Sequence, residues 1–501
     1  MSDSPMTDRS NLELRLLGAA ILVGVLGDAL LRTLPWGLNF LLWMVGLLAA
    51  LLLLGPGKPE AFAGSGRWLF LPLIVFSLLF LWHDSPVLKL LNILALLVGL
   101  SLVVLRAQGG RILRGGIVEY VLGSAIAGLN AAFGIIPMVF GNAEWKKLLE
   151  GRGQQRTLAV ARGIALAFPL LLIFGGLFMG ADAVFKNLVA NAFRLNFRLL
   201  FTHFFVAAFF AWIVGGYLRG MLFGMEWAKV AGLRLPAPSI GAIEIGMVLG
   251  LLDLLFLLFV LVQLRYFFGG AALVQATTGL TYSEYARRGF FELLAVAVLA
   301  LPLLLGAHYL IEKNAPATER LFQVLSGTLI LLLFVVMISA FQRMRLYQDE
   351  YGLSEQRLYP TAFMGWLAVV FVWFSFTVLR GRREQFWFGA MVAGFVLIAL
   401  LHLLNPDALI ARTNLARAKA GRPFDARYAA WLSADAVPAL AEGLPGLSAP
   451  DRCKVAAGLL SHWLLEEGPD WRAWNHSRAQ ALQVIRENEA RLRAMACGQQ
   501  K

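Results

Sequence analysis

The sequence predicts an all-α polytopic transmembrane helical bundle with a small helical soluble module at its C-terminus. Three observations carry this reading. Hydrophobic residues make up 59% of the 501-residue chain and charged residues 15%, whereas a soluble domain is roughly 25% charged. Apolar runs recur at the length that crosses a hydrocarbon core as a helix, about twenty residues. Beyond residue 404 these runs stop and the chain becomes polar and rich in charge. With a mean hydropathy of +0.70, the chain cannot cover itself with polar surface, so lipid must be its solvent over most of its length.

Taken in order, the predicted spans fall at 14–33, 36–54, 68–82, 87–105, 158–180, 199–218, 242–264, 291–310, 321–342, 360–379 and 385–404. Charge, Pro or Trp bounds each of them. Trp68 and Trp82 stand at the ends of the short third span as interfacial anchors. The stretch 117–140 is apolar but carries Glu119, Asn130 and Pro137. It reads either as a further span, for a total of about eleven or twelve, or as an amphipathic surface helix. The two units expected are a bundle over 1–404 and a soluble helical tail over 405–501.

The net charge of +13 does not point to nucleic acid. Its Lys and Arg residues lie in short loops between apolar runs, where they encode membrane orientation. Arg9, Arg15, Lys58, Arg67, Arg106, Arg111 and Arg114 fall on one side of the first four spans and Arg32 nearly alone on the other. This places the N-terminus in the cytoplasm of a bacterial inner membrane, with the first apolar run retained as a signal-anchor. The side of the tail follows from the status of 117–140, and an outside tail is preferred.

Small residues recur at helix-packing spacing, at Gly216/Gly220/Gly224, Gly176/Gly180 and Gly246/Gly250. They predict close approach of helices within the bundle. In the tail, Asn405-Pro406-Asp407 supplies a helix cap, a Pro at the first turn and an acid near the positive end. Gly421 is expected to end that helix, Ser448–Asp451 to start another, and Asp470 to cap the last. The two cysteines, Cys453 and Cys497, form a candidate disulfide suited to an outside tail. A straight helical hairpin would leave them too far apart, so the bridge requires a bend.

Residues that could bind a ligand cluster in two connections and one span. In Thr281–Leu293, Glu284, Arg288 and Glu292 share one helical face, leaving Tyr285 and Arg287 for another partner. Arg343–Arg357 places Tyr347, Tyr351, Arg357 and three acids in what reads as a loop. The bland alternative for both is an ordered interfacial anchor. Asp253 lies near mid-span with Gln263 beyond it, and a mid-span carboxylate must face protein, water or a cation. Its bland alternative is a protonated, hydrogen-bonded structural group. Asp28 and Arg32 read as an i,i+4 pair. There is no HExxH, GxSxG or P-loop motif, no paired His or Cys spacing for a metal, and no cofactor signature. The candidate binding set is therefore Asp253, Gln263, Tyr285, Arg287, Arg288, Glu292, Tyr347, Tyr351, Arg357, Asn405 and Asp407.

Several ordered motifs carry a resemblance. They are Gly180–Phe185, Gly250-Leu-Leu-Asp253-Leu-Leu-Phe256 with Gln263 and Phe267–Gly270, and Tyr285-x-Arg287-x-Gly289-Phe290-x-Glu292-Leu293. Further on come Tyr347-x-x-x-Tyr351-Gly-Leu353-x-x-x-Arg357, Asn405–Arg412 with Asn414, and Leu432–Leu440. Together they resemble a family of bacterial multi-pass membrane proteins of unknown function, the DUF4153/DUF4173 type. Ser354 stands where that family usually has Thr. The resemblance implies a bacterial inner-membrane protein and brings no activity with it. The expected partners are the bilayer, a small solute or lipid headgroup, and a protein partner for the tail. The leading expectation is a transporter- or channel-like protein for a small polar or ionic solute. The alternative is an envelope sensor or assembly partner acting through the tail.

Overall fold

The computed structural model describes residues 5–55, 64–113, 115–136, 197–224, 240–278, 282–311, 316–463 and 470–496, with short pieces between 171 and 185. Every named element is a helix, and one isolated bridge joins Ile240 to Ile311. Among the described residues, eight helices are long and apolar enough to cross a membrane, and two shorter apolar helices accompany them. The expected span 158–180 lies mostly outside the described residues.

The bundle is α1 (Pro5–Leu31), α2 (Leu38–Leu54), α3 (Phe70–Trp82), α4 (Pro86–Ala107), α5 (Ile117–Phe133), α6 (Phe197–Phe223), α7 (Ala242–Thr278), α8 (Tyr282–Leu310), α9 (Pro316–Tyr351), α10 (Glu355–Thr377) and α11 (Phe386–Leu404). Two apolar cores form within it. The first joins α1–α6 and the second α7–α11. Helix α11 belongs to both, since Phe386 and Ala390 lie in the second core while Phe388, Met391 and Phe395 pack on the first.

Lipid is as apolar as Leu, so close backbone approach holds such helices together. A Cβ on Gly24 would stand 2.7 Å from the Ala207 carbonyl of α6. On Gly216 it would meet the Asn130 carbonyl of α5 at 2.4 Å, and on Gly220 the Asn130 side chain at 2.5 Å. The glycines of α6 thus serve packing inside the chain. At Gly176, Gly180 and Gly250 nothing lies within 4 Å. Helix α5 packs along α4 and α6, so the described part of 117–140 is a helix of the bundle. Its 17 residues make it about 25 Å long.

Two helices outrun their apolar stretches. Helix α7 continues to Thr278 and α9 to Tyr351, so 343–351 is helix and not loop. Gly352, at φ +79, stops α9 in the left-handed region that Gly tolerates best. Helices α7 and α9 run parallel, with Gly246 against Leu321 and Gln263 bonded to Ser339.

The tail adds α12 (Pro406–Lys419), α13 (Ala426–Ala430), α14 (Val437–Gly443), α15 (Ala449–Trp463), α16 (His476–Glu487) and α17 (Glu489–Met495). Asn405 caps α12 through a bond from Ala408 N, and Gly421 takes φ +76 after its end. The tail has no core of its own. Its apolar residues join Leu88 of α4, Leu358 of α10 and Leu401 of α11 in a third cluster. Leu38 N bonds to Trp474 O at 2.9 Å, which fixes the tail at the end of α1 away from the N-terminus. Cys453 is disulfide-bonded, and Cys497 lies outside the described residues. The chain breaks at Asn488 between α16 and α17, and α17 packs on α15, which carries Cys453.

A buried polar junction as the candidate functional site

The connection His83-Asp84-Ser85 between α3 and α4 is polar between two apolar runs. A helix leaves its last carbonyls without partners, and here the tail supplies them. Asn475 Nδ2 donates to Phe80 O at 2.8 Å and His83 O at 3.1 Å, while its Oδ1 accepts from Arg478 N. One side chain therefore caps the C-terminus of α3 and the N-terminus of α16. Ser477 Oγ lies 2.8 Å from Trp82 O.

Asp435 is the centre of the junction, in the short 3-10 turn Ala434–Ala436. Its Oδ1 takes His83 Nδ1 at 2.6 Å and lies 2.5 Å from Ser477 Oγ. Its Oδ2 accepts from the backbone N of Asp84 and of Ser85, both at 2.9 Å. Burial alone would raise this carboxyl, but the His83 bond and charge, Ser477 and the Asp84 N–H outweigh it and hold it below the usual range. Hydrogen bonds to the charged form have this effect.

Ser433 links Asp435 to Asp407. Its Oγ lies 3.0 Å from Asp435 Oδ2 and 2.5 Å from Asp407 Oδ2. Asp407 is 1% exposed, and burial pushes its carboxyl up to about 6 despite the Ser433 bond. Beside them, His402 Nε2 meets Asn92 Oδ1 at 2.9 Å, and the His83 and His402 rings lie 5.4 Å apart. An amide oxygen only accepts, so Nε2 carries the hydrogen of His402. Asp84 accepts Lys89 Nζ at 2.5 Å and pairs with Arg478 Nε at 3.2 Å. Arg478 Nη2 reaches the Pro35 and Trp36 carbonyls. Among the described residues, His83 Nε2, Asn92 Nδ2, His402 Nδ1 and Asp407 Oδ1 are buried without a hydrogen-bond partner. No group of three or more His, Cys, Asp or Glu among them is placed to hold a metal ion.

The predicted site residues divide among three places. Asp407 enters the junction, and Asn405 caps the helix that carries it. Tyr347, Tyr351 and Arg357 form a stack at the α9–α10 turn. The Arg357 guanidinium lies 4.2 Å from the Tyr347 ring centre and 5.8 Å from that of Tyr351, and it donates to the Tyr351 and Gly352 carbonyls. The turn is locked to the tail by Asn414, whose amide exchanges two 2.8 Å bonds with the Leu353 backbone. Arg417 covers the Asp349 and Glu350 carbonyls at the end of α9. Gln263 accepts from Arg343 Nη2 at 2.8 Å, and a Cβ on Gly289 would stand 1.7 Å from Arg343 Nη1. Glu292 is exposed. The side chains of Tyr285, Arg287 and Arg288 lie outside the described residues.

Asp253 stands apart, in α7. It is 9% exposed, and neither carboxylate oxygen has a hydrogen-bond partner among the described residues. Asp28 bonds His203 Nδ1 at 2.5 Å in addition to its ion pair with Arg32. Local reading missed His83, Asn92, His402 and Arg478. The one available signal was a polar triplet, His83–Ser85, at the end of a short span.

No curated protein and no solved structure matches this chain. The model of a domain of unknown function, DUF4153, matches residues 70–443, a stretch that runs from the start of α3 through the junction to the end of α14. The chain therefore belongs to the DUF4153 family, a multi-pass membrane family of unknown function.

Proposed function

We propose that this protein is a transporter- or channel-like component of a bacterial inner membrane, passing a small polar or ionic solute along a path that includes Asp253. The observation that carries the reading is the unpartnered carboxylate of Asp253, buried within the apolar span Ala242–Gln263. A carboxylate at membrane depth costs several kcal/mol and is by default functional. A proton or a cation is the partner that offsets such a cost. The two apolar cores, with α11 shared between them, give the bundle two bodies that can move against each other.

The orientation follows from charge. Arg67, Arg106, Arg111, Arg380, Arg382 and Arg383 lie at the end of the bundle that holds the N-terminus, which puts that end in the cytoplasm. The tail, at the other end, is then outside the cytoplasm.

The test is flux in proteoliposomes holding the full chain, over a panel of ions and small polar solutes. A solute should be found whose flux falls at least about tenfold in Asp253→Asn. Flux indifferent to that change, or neither flux nor binding across the panel, sinks the reading.

One observation favours a second reading, an envelope sensor or assembly partner acting through the tail. The tail is bonded to both α3–α4 and α9–α10, so a change in it reaches both halves of the bundle. Crosslinking of the full-length protein in membranes separates the two readings. A stoichiometric envelope partner, with no flux, would favour the sensor.

A further inference from the structure

Ser433 lies between two carboxylates. Its Oγ is 2.5 Å from Asp407 Oδ2 and 3.0 Å from Asp435 Oδ2. A hydroxyl has one hydrogen to donate and otherwise accepts. Both contacts are hydrogen bonds only if one of the carboxyls donates. Asp435 is not that one, because its oxygens already take His83 Nδ1 and two backbone N–H groups, which favour the ionised form. Asp407 has no comparable donors. Ser433 bonds its Oδ2, while its Oδ1 is buried and unpartnered among the described residues.

We infer that Asp407 is a proton-binding site: it holds a proton that it donates to Ser433 Oγ, which in turn donates to Asp435. The ligand is the proton itself, and the site joins the tail to the α3–α4 connection independently of Asp253.

The surroundings favour the neutral form. Asp435 and Glu355 both act on Asp407 to raise its proton affinity. Tyr359 of α10 and Tyr428 of α13 also lie within electrostatic reach. His402 on α11 and His83 complete the titratable groups around the junction. The face of α14 packed on α12 is apolar, with Val437 and Leu440. Burial, the largest influence, pushes the Asp407 carboxyl up to about 6.

Release of the proton to water leaves a carboxylate 1% exposed, with Ser433 between two anions and a single hydrogen to share. The contact between α12 and the 433–436 turn then weakens. The sign is fixed by the upward shift. A carboxyl raised in the folded state contributes stability that is complete at low pH and is lost as pH rises through about 6.

The test is infrared difference spectroscopy of the full-length protein in lipid nanodiscs, between about pH 5 and about pH 8. A protonated carboxyl C=O band should vanish on raising the pH, be absent from Asp407→Asn, and shift in Ser433→Ala. Persistence of the same band in Asp407→Asn, or no carboxyl titrating in that window, would overturn the inference. A second measurement needs no variant. Amide exchange at 433–436 in the native protein, corrected for intrinsic pH dependence, should speed up several-fold across the same window. A flat profile counts against the site as directly.

Discussion

His83 Nδ1 stands 2.6 Å from Asp435 Oδ1, a bond between residues 352 positions apart that are both almost fully buried. It ties the end of α3 to the tail. A buried charged pair contributes little net stability, but removing one partner leaves the other unpaired and typically costs about 3–5 kcal/mol.

Asp435→Ala should therefore loosen the tail more than any surface change. It strands His83 and the Asp84 and Ser85 N–H groups together. The expected loss is about 3 kcal/mol or more, read as a lower unfolding temperature in detergent and as new protease cleavage between residues 405 and 496. Asp435→Asn keeps the shape and should cost less. Equal stability of Asp435→Ala and wild type would show that the junction holds nothing in place.

The two carboxyls should respond to pH with opposite signs. Asp435 is held low, so its contribution is present above the unfolded carboxyl range and is lost as pH falls through its depressed value. Asp407 is raised to about 6, so its cost appears as pH rises. Asp407→Asn, which removes that cost, should be more stable than wild type at about pH 8 by roughly 2–3 kcal/mol. The difference should shrink towards zero near pH 4. A stability difference independent of pH would show that Asp407 does not titrate in the folded protein.

Local pattern reached part of this. The apolar runs marked the bundle, because length and hydropathy are what lipid selects. Asn405, Gly421 and Asp470 were legible because caps and stops are encoded within a few residues. The end of α9 was misplaced, since loss of hydropathy marks where lipid ends and not where hydrogen-bonded helix ends. Arg417 and Asn414 extend it from the tail. Asp407 was singled out as an acid near a helix dipole, whereas the structure buries it against Ser433. Its partners could not be read, because 26 residues separate Ser433 from Asp407 and hundreds separate Asp435 from His83.

Orientation is open to labelling. Cys453 is disulfide-bonded and half-buried, so an impermeant maleimide should modify it in intact spheroplasts only after reduction. A cysteine placed at Arg382, at the opposite end of the bundle, should label only after lysis. Labelling of Cys453 that requires lysis would put the tail in the cytoplasm and reverse the proposed orientation.

The last prediction concerns Gly289 and Arg343. The Arg343 guanidinium crosses α8 at Gly289, where a Cβ would stand 1.7 Å from Nη1, and reaches Gln263 of α7 at 2.8 Å. One side chain of α9 thus joins three helices, and its residue is 8% exposed. Gly289→Ala should displace it. Backbone freedom is not the reason, because Gly289 is helical and Ala suits a helix better by about 1 kcal/mol. A stability loss of about 1–3 kcal/mol would therefore come from overpacking and from the bond lost to Gln263. Arg343→Ala removes the clash along with the bond, so Gly289→Ala should cost little in that background. Double-mutant analysis of unfolding in detergent measures the coupling. Additive losses would show that Arg343 does not use the space above Gly289, and that the glycine serves some other contact of α8.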